Sequence, residues 1–258
     1  MLLEVKNLFK NFGSVVAAEN INFSMGNNEV IGIIGSNGAG KTTFCNIITG
    51  YTKPDKGEIK FKGKDISNKS VLEIKNIGIH RSFQIPQIFD SLTVLENIMI
   101  SNLVANNKQY SFYDKAYNKT NIDYAEYLLK QFNIIEFKNK KVGLLPQGAR
   151  KVLDIVIAIL GKPSIVLLDE PTSGISSDEK YSVMDHTLTA IRNLNIAILF
   201  IEHDMDIIKR YSKRVLAFYS GKIIADGAPK RVLKQKDVLK FIVGKSDVKS
   251  WEYKRQYR

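Results

Sequence analysis

Three short stretches of this chain carry side chains whose types and spacing suit one chemistry, the handling of a phosphoryl group. Residues 35–43, GSNGAGKTT, match G-x-x-x-x-G-K-[ST] directly after the apolar run VIGII at residues 30–34. The glycines let the backbone curl its N–H groups around phosphate oxygens, and the helix expected next aims its positive end at the same charge. In such a loop Ser36, Asn37, Gly38, Ala39, Gly40 and Thr43 wrap the phosphates while Lys41 reaches the outer ones. The Thr42 hydroxyl is an oxygen of the kind a hard cation such as Mg²⁺ takes, and a triphosphate brings that cation with it. The second stretch, SIVLLDE at residues 164–170, reads as a buried strand ending in Asp169 and Glu170. Two acids there suit one carboxylate near Mg²⁺ and one near an attacking water, and spacing does not assign the roles. The third, residues 196–204, is another buried strand that ends on Glu202-His203-Asp204, so His203 is a further polar side chain at a strand end.

These side chains need a scaffold, and the hydrophobic pattern describes one. Residues 2–23 alternate as a strand pair with a polar turn at 11–14. Phe12 stands at that turn, where an aromatic either stacks on a purine face or is simply a turn hydrophobe. The helix after the phosphate loop has Phe44, Ile47 and Ile48 on one face and stops at Gly50; Cys45 on it reads as a small core residue. KGEIKFKGKDI, residues 56–66, predicts a short hairpin. Residues 77–83 predict a strand ending at Gln84, an amide placed where open α/β sheets hold ligands, with His80 as a core histidine. Thr93 and Glu96 form a capping box ahead of a helix.

Residues 106–120 lack an apolar period and predict an exposed excursion; helical spacing resumes at Ile122, Ala125, Leu128, Leu129 and Phe132. Residues 152–160 are apolar nearly all round, as in a buried helix. Residues from about 85 to 160 thus predict a helical subdomain inserted in an α/β core. Ser176 and Glu179 predict a capped helix with Val183, Leu188 and Ile191 inward, and residues 214–224 two last strands around Ser220-Gly221.

The chain has 258 residues and a formal net charge of +12. Residues 230–258 hold ten Lys or Arg against three acids, which leaves +5 for the rest. Basicity concentrated in this way suits solvent, anionic headgroups or a partner better than base-sequence readout. The longest apolar stretch, residues 152–168, is broken by Asp154, Lys162 and Pro163, so no bilayer-spanning segment is expected. MLLEVKNLF lacks a signal peptide's apolar core, which predicts a cytoplasmic location, and the single Cys45 excludes an internal disulfide or a cysteine-rich metal site.

Taken in order, these motifs resemble the ATP-binding subunits of ABC transporters over residues 2 to about 243. The likeness rests on Phe12 as the adenine-stacking aromatic, GSNGAGKT as Walker A, Gln84 as the Q-loop, IVLLDE as Walker B and His203 as the switch histidine. RSFQIPQIF, SLTVLENIMI, LPQGARKVLDI, IEHDM and the end IIADGAPKRVLKQKDVLKFIVG are similar to the branched-chain amino acid importers. The lipopolysaccharide-export ATPase is the nearest alternative; a soluble ABC protein of ribosomes or DNA has only the +12 charge in its favour. Leu145-Pro146-Gln147-Gly148-Ala149 stands where the family has L-S-G-G-Q, and SGISSDE where GLNPE is familiar.

The resemblance implies a P-loop NTPase core with an N-terminal antiparallel β-subdomain and an inserted helical subdomain, one ABC ATPase domain over residues 1–243 and a basic tail at 244–258. It implies ATP and Mg²⁺ as ligands, with Thr42, Gln84 and Asp169 on the metal. Glu170 then polarises the water and His203 touches the outer phosphate. Gln147 and Gly148 close over the nucleotide of a second ATPase copy or paralogue in a head-to-tail dimer. Further implied partners are two transmembrane permease subunits and an extracytoplasmic solute-binding protein, with no sequence-specific nucleic acid. The implied place is the cytoplasmic face of the membrane, peripheral to it, where ATP hydrolysis drives import of a small solute such as an amino acid.

Overall fold

Alternating apolar side chains draw the N-terminus into two long antiparallel strands, β1 (Leu3–Phe12) and β2 (Val15–Met25). Leu3, Val5 and Leu8 are buried beside Met25, Phe23 and Ile21, their partners across the pair on β2. Phe12 pairs with Val15 across a two-residue turn with Gly13 at φ 59°. The next strand, β3 (Val30–Gly35), is buried at every position, as a strand covered on both faces must be. α1 (Lys41–Ile48) follows, then β4 (Lys56–Phe61) and β5 (Lys64–Asp65), which complete the sheet β2-β1-β4-β5.

This computed structural model describes residues 1–82, 88–105 and 119–243, in two units: Met1–Asn76 with Leu199–Arg258, and Ile77–Ile198. A short helix, α2 (Val71–Ile77), ends the first leg, and β6 (Ile79–Arg81) opens the next. The expected strand at 77–83 is therefore shorter: Ile77 closes a helix and Gly78, at φ 104°, turns the chain into the strand. A capping box starts that helix, since Ser70 N–H and Oγ both donate to Glu73 Oε2, at 2.8 and 2.7 Å.

In the second unit β6 pairs in parallel with β7 (Ile165–Asp169), and around them lie α3 (Val94–Ala105), α4 (Lys119–Gln131), α5 (Gln147–Ala158) and α6 (Glu179–Asn193). The Thr93–Glu96 box forms as expected, with Thr93 N–H donating to Glu96 Oε2 at 2.8 Å. His80 is buried, its Nδ1 2.8 Å from the Ala158 carbonyl, a satisfied core histidine. At the start of α6 Glu179 N–H donates to Ser176 Oγ at 3.4 Å and Lys180 N–H to the Ser176 carbonyl at 3.1 Å, the expected cap, with the regular helix bounded two residues later, after Asp178. The excursion expected at 106–120 falls mostly outside the described residues.

The chain re-enters the first unit through β8 (Ala197–Ile201), followed by α7 (Met205–Tyr211), β9 (Arg214–Tyr219) and β10 (Lys222–Gly227). Strand order there is β10-β9-β3, with β3 parallel to β9. Glu202 N–H donates to the Ile33 carbonyl at 3.2 Å, tying the end of β8 to the strand that feeds the phosphate loop. Among the described residues no helix is long and apolar enough to cross a membrane.

Candidate functional site

The phosphate loop is built in the first unit by close backbone approach. Gly40 sits at φ 100°, and a Cβ there would run into the Ala17 carbonyl oxygen of β2. From the other side Gly221, in the β9–β10 turn, donates its N–H to the Ala39 carbonyl at 3.0 Å, and its own carbonyl accepts from Glu19 N–H at 2.8 Å. Phe44 packs edge-on against Phe23 and tilted against Phe218, with centroids 5.6 and 5.3 Å away, which seats α1 on the sheet.

At the mouth of that loop, Phe44 N–H donates to the Gly40 carbonyl at 2.9 Å, so the N–H groups of Lys41, Thr42 and Thr43 precede the first helical bond. The first turn of α1 contains no acid, which leaves its positive end for an external anion. Lys41 is buried, and its Nζ donates to the Gly35 and Ser36 carbonyls at 2.6 and 2.9 Å. The ammonium is thus held inside the loop by the loop's own backbone. Ser36 is half-buried, Asn37, Gly38 and Thr42 are exposed, Ala39 is buried and Thr43 half-buried.

Two further predicted residues belong to the same unit. Phe12 is 52% exposed at the tip of the β1–β2 hairpin, beside the exposed Val15 and Val16. Asp55 braces the root of that tip, accepting from Lys10 Nζ and from Asn11 N–H, both at 2.7 Å. Those two bonds, Lys10's first, hold the Asp55 carboxyl below its ordinary range. His203 is exposed, following the buried Glu202, whose Oε2 accepts the His203 N–H at 3.1 Å. Asp204 then caps α7, accepting from Asp206 and Ile207 N–H at 2.9 and 3.3 Å.

The second unit holds the carboxylates. β7 carries Asp169 as its last residue, and Glu170 follows in the left-handed region at φ 48°, uncommon for a side chain of its size. Its carbonyl accepts from Ser173 N–H at 3.0 Å, so a tight turn starts on it. Asp169 is paired with Arg81, Nη2 to Oδ2 2.5 Å, with side chains only 14% and 8% exposed. Arg81 heads the RSFQIPQIF stretch, but sequence reading assigned it no role at the site.

In the same unit Gln147 opens α5 and is exposed, its carboxamide lying over Gly174. Gly148 is buried, with Val183 and Ile175 at ordinary contact distance from where a Cβ would point, and Ala149 is buried beside it. Their first-turn N–H groups still precede the first helical bond, from Arg150 to the Pro146 carbonyl at 3.1 Å. Gln84 and the tail at 244–258 lie outside the described residues.

Mg²⁺ takes few protein ligands and keeps phosphate and water oxygens, and the residues fit that habit. Thr42 offers an exposed hydroxyl at a helix start and Asp169 a carboxylate at a strand end. No cluster of three or more His, Cys, Asp or Glu ligands occurs among the described residues.

Comparison with known proteins agrees in extent and kind. A family model described as ABC transporter matches residues 18–173. The probable branched-chain amino acid transport ATP-binding protein LivG of Methanocaldococcus jannaschii is 33% identical, covering 94% of this chain and 97% of its own. The high-affinity branched-chain amino acid transport ATP-binding protein BraF of Pseudomonas aeruginosa is 30% identical, over 95% and 98%. A crystal structure of an ATP-binding cassette of an ABC transporter in its ADP conformation superposes with TM-score 0.82 at 32% identity, over 92% of this chain and 96% of that one.

Proposed function

Because the chain belongs to the ABC transporter family, as an ATPase whose turnover is coupled to transport, we propose that it powers import of an amino acid, branched-chain ones first, across the cytoplasmic membrane. The observation that carries this reading is the end-to-end similarity to branched-chain amino acid transport ATP-binding proteins, at 33% and 30% identity. A chain matched over a shared cassette alone would not carry the cargo class.

In this proposal the loop N–H groups and Lys41 grip the outer phosphates of ATP, and Phe12 stacks on adenine. Thr42 and Asp169, with Gln84, hold Mg²⁺, which neutralises charge on the phosphates. Glu170 accepts the proton of the attacking water, and His203 steadies the outer phosphate. A second ATPase copy or paralogue supplies the surface at Gln147 and Gly148. Two permease subunits dock on the helices of residues 94–158 at the inner membrane face, and an extracytoplasmic binding protein delivers the solute. The basic tail serves partner or membrane association.

Uptake of radiolabelled leucine in cells carrying Glu170→Gln in place of the parent chain tests the proposal. Loss of leucine uptake with unrelated uptake systems intact is expected. Unchanged leucine uptake, with uptake of another solute abolished, would overturn the cargo class.

A further inference from the structure

Arg81 heads the RSFQIPQIF stretch at the carboxylate edge, and no role attaches to it there. It lies on β6, where parallel pairing sets it across from Leu167, and Ser82 N–H donates to the Leu167 carbonyl at 2.9 Å. From there its guanidinium reaches along β7 to the strand's last residue, Nη2 meeting Asp169 Oδ2 at 2.5 Å. Both side chains are nearly out of solvent, at 8% and 14% exposure. The contact is to one oxygen, Nη2 to Oδ2, while Arg81 Nε has no hydrogen-bond partner among the described residues, so the buried guanidinium neutralises Asp169 from the Oδ2 side. A pair serving only to tie β6 to β7 has no need of the one carboxylate at the strand's catalytic end.

We propose that Arg81 is a positioning residue for the cation: by occupying Oδ2 it presents Oδ1 of Asp169 as the oxygen offered to Mg²⁺. This rests on the reading of Asp169 as a metal ligand. Partners that orient a metal's ligands are typically worth roughly 10- to 100-fold in metal affinity, which sets the scale expected here.

The test is Mg²⁺ dependence of binding of a fluorescent ATP analogue to the full chain, in parent, Asp169→Asn, Arg81→Gln, Arg81→Lys and the double variants. Arg81→Gln is expected to raise the half-saturating Mg²⁺ by roughly tenfold, with binding in EDTA within twofold of the parent. Arg81→Lys, which keeps the charge and loses the guanidinium, is expected to fall between. In the Asp169→Asn background the Arg81 substitutions are expected to add nothing.

A folded Arg81→Gln with the parent's Mg²⁺ requirement overturns the proposal, as does an effect that persists undiminished beside Asp169→Asn. If Arg81→Gln melts below assay temperature, Arg81→Lys decides by the same criteria. Asp169→Asn alone separates the layers: no change in its Mg²⁺ requirement removes the metal-ligand reading itself, whereas a change there without one in the Arg81 variants removes only this inference.

Discussion

The phosphate loop and the carboxylate edge are two halves of one predicted chemistry, and they are held in different ways. The loop is a backbone object: Gly40 against the Ala17 carbonyl, Gly221 against Ala39, and Lys41 bonded to the Gly35 and Ser36 carbonyls. The edge is held by a side-chain pair, Asp169 gripped by Arg81, although Glu170 next to it also has a left-handed backbone. Backbone geometry restricts residue type position by position, whereas an ion pair restricts only a charge brought from elsewhere. The loop should therefore be intolerant of small steric changes, and the edge of changes in charge.

Breaking the edge gives the largest expected effect. Glu170→Gln keeps shape and removes the proton acceptor, so turnover should fall by about 10²- to 10⁴-fold while ATP affinity stays near the parent's. A coupled phosphate-release assay beside analogue binding measures both, and turnover at the parent rate would remove Glu170 from the mechanism. Breaking the loop is next. Lys41→Ala deletes the buried cation, and the lost charge-assisted contacts predict roughly 10- to 100-fold weaker ATP binding. Gly40→Ala should do comparable damage without touching a charge, because its Cβ meets backbone at φ 100°, whereas Gly38→Ala, strained at φ 77° but facing open space, should do less. Equal affinities for these two alanine variants in a binding titration would break the contrast.

The same difference governs what could be read from sequence. The loop was legible because each of its demands names a residue type at a fixed spacing. The Arg81–Asp169 pair was not: its members are 88 positions apart, and only the β6–β7 register joins them. α2 went unread although Ser70 and Glu73 carry the same signal that correctly marked Thr93 and Glu96. Only Ile74 is buried on that helix, so no apolar period supported the cap. Its box is nonetheless well made: the Ser70 N–H and hydroxyl, with Lys69, pull the Glu73 carboxyl down to about 2.

A smaller effect sharpens the comparison at α5. Gln147 is exposed and its carboxamide lies over Gly174, while Gly148 and Ala149 are buried. If first-turn N–H groups carry the contact to a second copy's nucleotide, Gln147→Ala removes at most one side-chain hydrogen bond to it, about 0.5 to 1.5 kcal/mol, and turnover should change by roughly tenfold at most. A loss of a hundredfold or more would make this stretch a side-chain device like the edge.

The smallest effect is expected at Asp55, which lends a side chain to an otherwise backbone-built region. It is bonded to Lys10 Nζ and Asn11 N–H at the root of the hairpin that carries Phe12. Since the fold lowers its pKa, Asp55 favours folding at pH above its unfolded value, and that contribution fades as pH falls through the lower folded value. Asp55→Asn should therefore melt slightly below the parent at pH 7, and the two melting curves should converge in acid below the ordinary carboxylate range. Because both bonds end on an exposed carboxylate, solvent screens them and the gap stays small. If Phe12 stacks on adenine as proposed, the consequence for binding is selective: ATP should weaken by about twofold and tripolyphosphate not at all. Equal weakening of both ligands would mean that the brace acts on the phosphate loop itself, and a gap in melting that persists in acid would mean that the carboxylate charge is not what holds the tip.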